Sequence, residues 1–244
     1  MSPAAVSPAA VSPAAGTTAY EVETPEGPGR WHLDLAASPR AAVALGHGAG
    51  GGVTAMDLAL LAGALPAHGI SVARFEQPWR LAGRKVATPP QRLDIAWLAA
   101  VEELVQRPGL AGLALIVGGR SAGARVACRT AEALGAVGVL CLAFPLHLPG
   151  RPEKSRLAEL LAPTVPRLVL QGTRDTFGSA EELTSVLATA GAASGSGIEV
   201  VPVPGADHSF KTLARAEFRP ADVRSLVVAS ALRLVETVSS ARSG

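Results

Sequence analysis

The sequence predicts an α/β fold in which a mainly parallel, twisted sheet is covered by helices on both faces. Two observations support this class. Short, continuous apolar segments alternate with segments long enough for helices, as expected for strands buried on both faces of a parallel sheet. The chain has 244 residues, 48% of them apolar and 17% charged, which suits one folded domain and argues against general disorder.

Two short strands open the predicted domain, at residues 20–24 and 30–35. In the second, Trp31, Leu33 and Leu35 alternate with polar residues, a pattern typical of a half-exposed edge strand. The buried strands are predicted at 41–45, 70–75, 113–117, 137–144, 167–171 and 198–203. Helices are predicted at 54–67, 90–107, 124–134, 179–193 and 220–238. Right-handed crossovers in this order bring the loops at the carboxyl ends of the strands to one edge of the sheet.

The N-terminal segment repeats Ser-Pro-Ala-Ala-Val, beginning at Ser2 and Ser7 and, in shortened form, at Ser12. Its prolines break any helix, and it lacks the basic start and continuous apolar stretch of a signal peptide. We therefore interpret residues 1–19 as a disordered tail or an overextended translation start. Residues 20–244 are expected to form the folded domain.

Composition excludes several classes of protein. A formal net charge of +2 argues against a dedicated nucleic-acid binder. No stretch approaches the about 20 uninterrupted apolar residues that a membrane span needs. Cys128 and Cys141 fall within a predicted helix and a predicted strand, which favours buried structural thiols over a disulfide or metal site. We expect a cytoplasmic protein without metal or cofactor, a monomer or homodimer whose partner is a small-molecule substrate.

One pentapeptide carries the strongest chemical signal. Gly119-Arg120-Ser121-Ala122-Gly123 lies between the strand at 113–117 and the helix at 124–134. A Gly-x-Ser-x-Gly in this position forms a nucleophile elbow, a sharp turn that exposes the serine hydroxyl above the sheet. Because a glycine- and serine-rich chain produces the motif by chance, its value depends on an acid and a histidine farther along.

Only one of the five histidines meets the positional requirement for a partner of Ser121. His208 follows the last predicted strand, whereas the other four histidines all precede that strand. The acid is expected after the penultimate strand, and Asp175 stands there. Asp207 is the alternative, but neighbouring side chains on such a loop usually diverge. In these roles His208 would take the proton of Ser121, and Asp175 would fix the imidazole tautomer.

The glycine run that follows the strand at 41–45 has two interpretations. Gly46-x-Gly48-x-x-Gly51 matches a dinucleotide fingerprint, with Glu76 at the end of the next strand. The other interpretation is an oxyanion loop, in which backbone N–H groups approach the reacting oxygen. The preceding strand pair and the later elbow favour the oxyanion loop. Its predicted donors are the N–H groups of Ala122 and of Gly48 or Ala49.

The chain resembles bacterial α/β-hydrolases of the dienelactone-hydrolase-like kind, and more closely the testis-expressed and NSL-complex-subunit-like hydrolase proteins. The segments that carry the resemblance are Gly46-His47-Gly48-Ala49-Gly50-Gly51, Gly118 to Ala124, Phe144-Pro145-Leu146-His147, Gln171-Gly172-Thr173-Arg174-Asp175 and Asp207-His208-Ser209-Phe210. The resemblance implies an α/β-hydrolase fold and a serine hydrolase. It also implies a second possibility, since some relatives are thought to act as complex subunits rather than enzymes.

Basic residues near the expected site suggest a hypothesis about the substrate. Arg80 follows one strand, His147 follows another, and Arg120 is next to the nucleophile. These three are our candidate substrate-binding residues for an anionic ester or thioester, although a solvated loop surface explains the same charges. The interval between 144 and 167 is too short for a large lid domain, so an open site is expected.

Together these features predict a serine hydrolase that cleaves an ester or thioester of a small acyl substrate through an acyl-enzyme. The predicted triad is Ser121, Asp175 and His208. The alternative is a non-catalytic binding or scaffold protein that retains the fold. Nucleotide binding through the glycine run is a third interpretation.

Overall fold

The computed structural model describes residues 16–191 and 197–240 of the chain. Within them, one sheet contains eight strands in the order β1-β2-β4-β3-β5-β6-β7-β8. The strands are β1 (Thr18–Val22), β2 (Gly29–Asp34), β3 (Ala41–Gly46), β4 (Ile70–Glu76), β5 (Ala114–Arg120), β6 (Gly138–Leu142), β7 (Arg167–Gly172) and β8 (Ile198–Val203). Strands β3 to β8 run parallel to one another, while β2 runs antiparallel to both β1 and β4.

Helices cover both faces of this sheet. They are α1 (Met56–Ala64), α2 (Pro78–Leu81), α3 (Pro90–Leu104), α4 (Ala122–Thr130), α5 (Leu157–Leu161), α6 (Ala180–Thr189) and α7 (Pro220–Ser240). Side chains of α3, α4 and α6 belong to one buried cluster, and those of α1 and α7 belong to another. The α/β class with helices on both faces is therefore confirmed. Between β6 and β7 the chain adds only α5 and its connecting loops, so this interval carries no lid domain.

The continuous apolar character of β3 follows from these two layers. Ala42 and Ala44 pack in the cluster that includes α3 and α4, whereas Val43 and Leu45 pack in the cluster that includes α1 and α7. Because successive side chains of a strand point to opposite faces, a strand covered on both sides has no solvent-facing position. The same parallel register brings Gly46 of β3 opposite Gly119 of β5, which aligns their carboxyl ends.

Several sequence predictions need correction. The edge-strand interpretation of β2 is wrong, because β2 is paired on both sides and β1 forms the edge. Strand β1 begins at Thr18, before the predicted domain start at residue 20, and residues 1–15 of the predicted tail lie outside the described residues. The helix predicted to start at Thr54 starts at Met56 and ends at Ala64, where a 3₁₀ turn containing Pro66 follows.

Helix lengths show further differences. The short helices α2 and α5 were not predicted, because segments of four or five residues show no helical periodicity. Helix α6 ends at Thr189, and the end of its predicted range falls partly outside the described residues. None of the helices within residues 16–191 and 197–240 combines the length and apolar character of a membrane span.

The two cysteines lie where the sequence placed them, in α4 and β6. Both are buried, and the Sγ atoms of Cys128 and Cys141 are 3.5 Å apart without a covalent bond. The hydrogen bond with Cys128 and the burial of the site raise the pKa of the Cys141 thiol. A buried thiol that stays protonated is a poor nucleophile, so this pair acts as packing.

Candidate active site

Ser121 occupies a sharp turn between β5 and α4. Its backbone has φ 51° and ψ −108°, a conformation that non-glycine residues rarely adopt. The flanking glycines allow this turn to lie against the end of β3. A Cβ at Gly119 would be 2.3 Å from the carbonyl oxygen of Gly46, and one at Gly123 would be 2.2 Å from it. The geometry is that of a nucleophile elbow. Such a backbone conformation costs about 1–3 kcal/mol, and the surrounding packing holds Ser121 in it.

The structure brings together the three residues predicted as a triad. The Oγ atom of Ser121 lies 2.9 Å from Nε2 of His208. On the other side of the ring, Nδ1 of His208 lies 2.7 Å from Oδ2 of Asp175. The carboxylate of Asp175 is fully buried, whereas the His208 side chain is 21% exposed. The imidazole therefore connects a buried anion with a hydroxyl at the open edge of the sheet.

Two further residues hold this arrangement and were not assigned a role from the sequence. The amide of Gln171 donates to Oδ2 of Asp175 at 3.1 Å and to two backbone carbonyls nearby. The backbone N–H of Phe177 donates to the other carboxylate oxygen at 2.8 Å. The ring of Phe177 stacks on His208 with centroids 4.2 Å apart. Together they fix the positions of the carboxylate and the imidazole.

Asp207, the alternative acid, has a different position. Its Oδ1 accepts backbone hydrogen bonds from Ser209 at 2.7 Å and from Lys211 at 3.0 Å. These contacts stabilise the loop that carries His208. Asp207 therefore organises the loop backbone, and Asp175 is the carboxylate that contacts the imidazole.

The guanidinium of Arg120 is bound within the protein. It donates to the carboxylate of Asp57 and to the backbone carbonyl of His208. The Asp57 side chain is fully buried, and that of Arg120 is only 12% exposed. This geometry does not support the predicted contact of Arg120 with an anionic substrate. No spacing rule would have revealed its partners, which are distant in sequence.

The other two predicted substrate-binding residues, His147 and Arg80, differ in their exposure to solvent. His147 is buried, with Nδ1 2.8 Å from the carbonyl oxygen of Leu148 and Nε2 2.9 Å from Oε1 of Glu182. Both of its ring nitrogens thus have partners within the protein. Arg80 is exposed and lies beside Gly52 of the glycine run. Of the three candidates, Arg80 has the access that a substrate contact requires.

The glycine run adopts a defined loop that is held by His47. Burial lowers the pKa of this imidazole, which favours its neutral form. Its Nδ1 lies 2.9 Å from the carbonyl oxygen of Gly48, and its Nε2 accepts the backbone N–H of Gln77 at 3.2 Å. This pattern requires the proton on Nδ1. The loop is fixed beside the elbow, where a Cβ on Gly48 would be 3.5 Å from that of Ser121.

Two of the three predicted oxyanion residues border one narrow pocket. Ala49 of the loop and Ala122 at the start of α4 both line it. The first N–H groups of a helix have no intrahelical acceptor, so the N–H of Ala122 is available to a ligand.

The dinucleotide interpretation of the glycine run is not supported. Gly51, the third glycine of that pattern, faces open space, and Glu76 lies against Arg30 and His32. The loop thus lacks the close packing of a third glycine that the dinucleotide interpretation requires. Among the described residues, no group of three or more His, Cys, Asp or Glu converges as metal ligands would.

Comparison with known proteins supports the same architecture. Residues 39–236 match the family model described as alpha/beta hydrolase domain. The chain belongs to this family. A search of curated proteins finds no match.

Solved structures resemble this α/β hydrolase over most of its length. An α/β serine hydrolase without lid from Xanthomonas campestris is 23% identical, with a TM-score of 0.64, covering 89% of this chain and 94% of its own. An α/β serine hydrolase homologue from Coxiella burnetii is 18% identical, with a TM-score of 0.70, covering 89% and 99%. A dienelactone hydrolase from Anabaena variabilis is 18% identical, with a TM-score of 0.64, covering 88% and 96%. At these identities the similarity establishes the fold.

Proposed function

We propose that this α/β hydrolase is a serine hydrolase that cleaves an ester or thioester of a small acyl group through an acyl-enzyme. One observation carries the proposal. A continuous series of hydrogen bonds runs from Ser121 Oγ through the His208 ring to the buried carboxylate of Asp175. A neutral hydroxyl is a weak nucleophile, and an adjacent base held by a third group is the arrangement that activates it.

In the acylation step, Oγ of Ser121 attacks the carbonyl carbon of the substrate. Nε2 of His208 accepts the hydroxyl proton as the new C–O bond forms. Asp175 holds Nδ1–H and stabilises the positive charge that develops on the ring. When the tetrahedral intermediate collapses, the bond to the leaving group breaks and His208 returns its proton to that group. Deacylation repeats these steps with water as the nucleophile, which releases the acid and regenerates Ser121.

Negative charge develops on the carbonyl oxygen during each step. The N–H of Ala122 and that of Gly48 or Ala49 are the proposed donors to this oxygen. Helix α4 starts directly after Ser121, and a Cβ on Gly48 would be 3.5 Å from that of Ser121. The hydrogen bonds of His47 hold this glycine loop in place. Removing one donor of this kind typically costs roughly 10²–10³ in rate.

The finer resemblance to testis-expressed and NSL-complex-subunit-like proteins motivates one rival function. In that case the domain would be a non-catalytic scaffold that retains the fold. The hydrogen-bonded series at Ser121 favours catalysis, because a scaffold has no need of a buried carboxylate aligned with an imidazole and a hydroxyl. Labelling by a fluorophosphonate separates the two functions.

The experiment compares three proteins: wild type, Ser121→Ala and the matched control Ser209→Ala, which removes a neighbouring exposed hydroxyl. Wild type and Ser209→Ala are expected to label and to hydrolyse p-nitrophenyl esters or acyl thioesters, while Ser121→Ala does neither. His208→Ala should also lose acyl transfer. Absence of labelling in the folded wild-type protein would favour the scaffold.

Substrate charge is a separate part of the proposal. Arg80 is the candidate that contacts an anionic substrate, since Arg120 and His147 have partners within the protein. Matched neutral and anionic esters, compared at low and high salt, test it. A preference for the anionic ester that disappears in Arg80→Gln supports the contact, and equal kcat/KM values for both esters contradict it.

A further inference from the structure

Phe177 contacts both residues that assist Ser121 in the proposed mechanism. Its backbone N–H donates to Oδ1 of Asp175 at 2.8 Å, and its ring stacks on that of His208. The two ring centroids are 4.2 Å apart, and the ring planes are inclined by 28°. The phenyl ring therefore covers one face of the imidazole, while Asp175 and Ser121 contact its two nitrogen atoms at the edge.

The charge of this imidazole changes during the proposed reaction. His208 is neutral before it accepts the proton of Ser121, and it is positively charged until it passes that proton to the leaving group. The face of an aromatic ring carries partial negative charge and attracts a cation within about 6 Å of the ring centroid. At 4.2 Å the ring of Phe177 is well within this range. An aromatic ring at this position interacts more strongly with the charged imidazole than with the neutral one.

The backbone on both sides holds Phe177 in place. Its carbonyl oxygen accepts the backbone N–H of His147 at 3.1 Å. The carbonyl oxygen of the next residue, Gly178, accepts a hydrogen bond from the amide of Gln171 at 2.6 Å. A Cβ at Gly178 would be 2.7 Å from that of Leu146, so the segment after β7 packs closely on the segment after β6. The phenyl ring is thus already in position when charge develops, and the reaction requires no reorganisation of it.

We propose that Phe177 is a positioning residue that accelerates the reaction through His208, because its ring stabilises the imidazolium that forms in the transition state. This inference rests on the proposed serine hydrolase function. An interaction that is stronger in the transition state than in the ground state raises kcat. The His208 side chain is 21% exposed, so water screens the attraction only in part. Contacts between a cation and an aromatic ring correspond to roughly 2–30-fold in rate.

Fluorinated phenylalanines at position 177 test the role of charge. Fluorine withdraws electron density from the face of the ring and changes its shape little. Singly, doubly and triply fluorinated phenylalanine are incorporated at this position alone, and hydrolysis of a p-nitrophenyl ester is measured. Each added fluorine should lower kcat, and the triply fluorinated variant should lose most of the roughly 2–30-fold effect. The values of kcat and kcat/KM should fall together, as expected when an interaction is made only in the transition state.

The rate of fluorophosphonate labelling measures the same proton transfer without turnover. Ser121 attacks the phosphorus atom as His208 accepts its proton, so the labelling rate constant should fall in the same order. Phe218 is the matched control, since it is also half-buried but packs against the cluster that includes α1 and α7. The same fluorinated residues at position 218 should leave kcat and the labelling rate unchanged.

Two ordinary substitutions separate the ring from the backbone of this residue. Phe177→Leu keeps an apolar side chain but has no aromatic face, and it should lower kcat roughly 2–30-fold. Phe177→Tyr keeps the aromatic face and should stay within about twofold of wild type. Neither substitution removes the N–H that binds Asp175, because this donor belongs to the backbone.

The outcomes distinguish this inference from the function on which it rests. If the folded wild type neither labels at Ser121 nor hydrolyses any ester, the proposed function fails and this inference falls with it. If the wild type is active but kcat is the same across the fluorinated series, the inference alone is overturned. The same holds if Phe177→Leu is slow and the fluorinated variants are not, since the ring would then act through its bulk alone. A stepwise fall of kcat and labelling rate at position 177, absent at position 218, supports the proposal.

Discussion

Arg120 donates a hydrogen bond to the backbone carbonyl of His208. The same guanidinium donates to the buried carboxylate of Asp57 in the first turn of α1, and it lies 5.4 Å from the ring of Phe210. Because Arg120 directly precedes Ser121, one side chain connects the elbow, α1 and the histidine loop. We infer that Arg120 positions His208 relative to Ser121.

Arg120→Met is expected to reduce both stability and kcat. The variant leaves Asp57 as a buried charge without its partner, which typically costs about 3–5 kcal/mol. It also removes the donor to the His208 carbonyl, and a displacement of about 1 Å in a catalytic group can lower the rate roughly 10²-fold. Denaturant unfolding gives the first effect, and separate measurement of kcat and KM gives the second.

The double variant Asp57→Leu/Arg120→Met separates the two effects. Removing both charges should restore much of the stability, because a buried ion pair contributes little compared with apolar packing. The rate should stay low, since no donor faces the His208 carbonyl. Arg125→Met, which breaks the ion pair with Glu159 instead, is the control and should leave kcat near wild type. Recovery of kcat together with stability in the double variant would contradict a positioning role.

The sequence located the candidate triad because each member lies at the end of a strand. A parallel sheet brings such ends to one edge, so the order of Ser121, Asp175 and His208 along the chain was sufficient to predict their proximity. The oxyanion candidates could be predicted for the same reason, since the glycine run follows β3 and β3 pairs with β5.

Other features depend on contacts that have no local pattern. Asp57 and Arg120 are 63 positions apart, and nothing in either segment indicates the ion pair. The alternation in β2 predicted an edge strand, but β1 covers that edge in the folded protein. Arg120 was assigned to the substrate because a charge next to a nucleophile is visible in sequence, whereas its internal partners are not.

Asp175→Asn is expected to lower kcat roughly 10⁴-fold with little change in KM. The amide cannot hold Nδ1–H as the carboxylate does, so the imidazole would take the wrong tautomer to accept the proton of Ser121. Asp207→Asn is the matched control, because its side chain contacts loop backbone rather than the ring. Steady-state kinetics with one ester compares them. A greater loss in Asp207→Asn than in Asp175→Asn would reverse the assignment of the acid.

Gly123→Ala tests the contact between the elbow and β3. A methyl group at this position would lie 2.2 Å from the carbonyl oxygen of Gly46, so the backbone must shift. Overpacking of this kind costs about 1–3 kcal/mol, which outweighs the roughly 1 kcal/mol that alanine gains over glycine in a helix. Gly50→Ala is the control, because nothing lies near its added methyl. Urea unfolding should show a loss of stability for Gly123→Ala but not for Gly50→Ala. Equal stability of the two variants would mean that the elbow is not in close contact with β3.

Acid should weaken the fold through His47. Burial lowers the pKa of this imidazole in the folded protein, whereas in the unfolded chain it is near its ordinary value of about 6.5. At a pH between these two pKa values, His47 binds a proton in the unfolded state but not in the folded state. Stability from this residue is therefore complete above about pH 6.5 and is lost as the pH falls, by at most about 1.4 kcal/mol per pH unit for one proton.

Urea unfolding of wild type and His47→Gln at a series of pH values between about 7.5 and 5.5 measures this contribution. The free energy of unfolding should fall more steeply with acid in wild type than in His47→Gln, because glutamine binds no proton. His68→Gln, which replaces an exposed histidine, should keep the wild-type slope. Since protonation of His47 would place an N–H against the N–H of Gln77, the same acid range should also disturb the glycine loop. Equal slopes in wild type and His47→Gln would show that His47 is not the buried neutral imidazole that holds this loop.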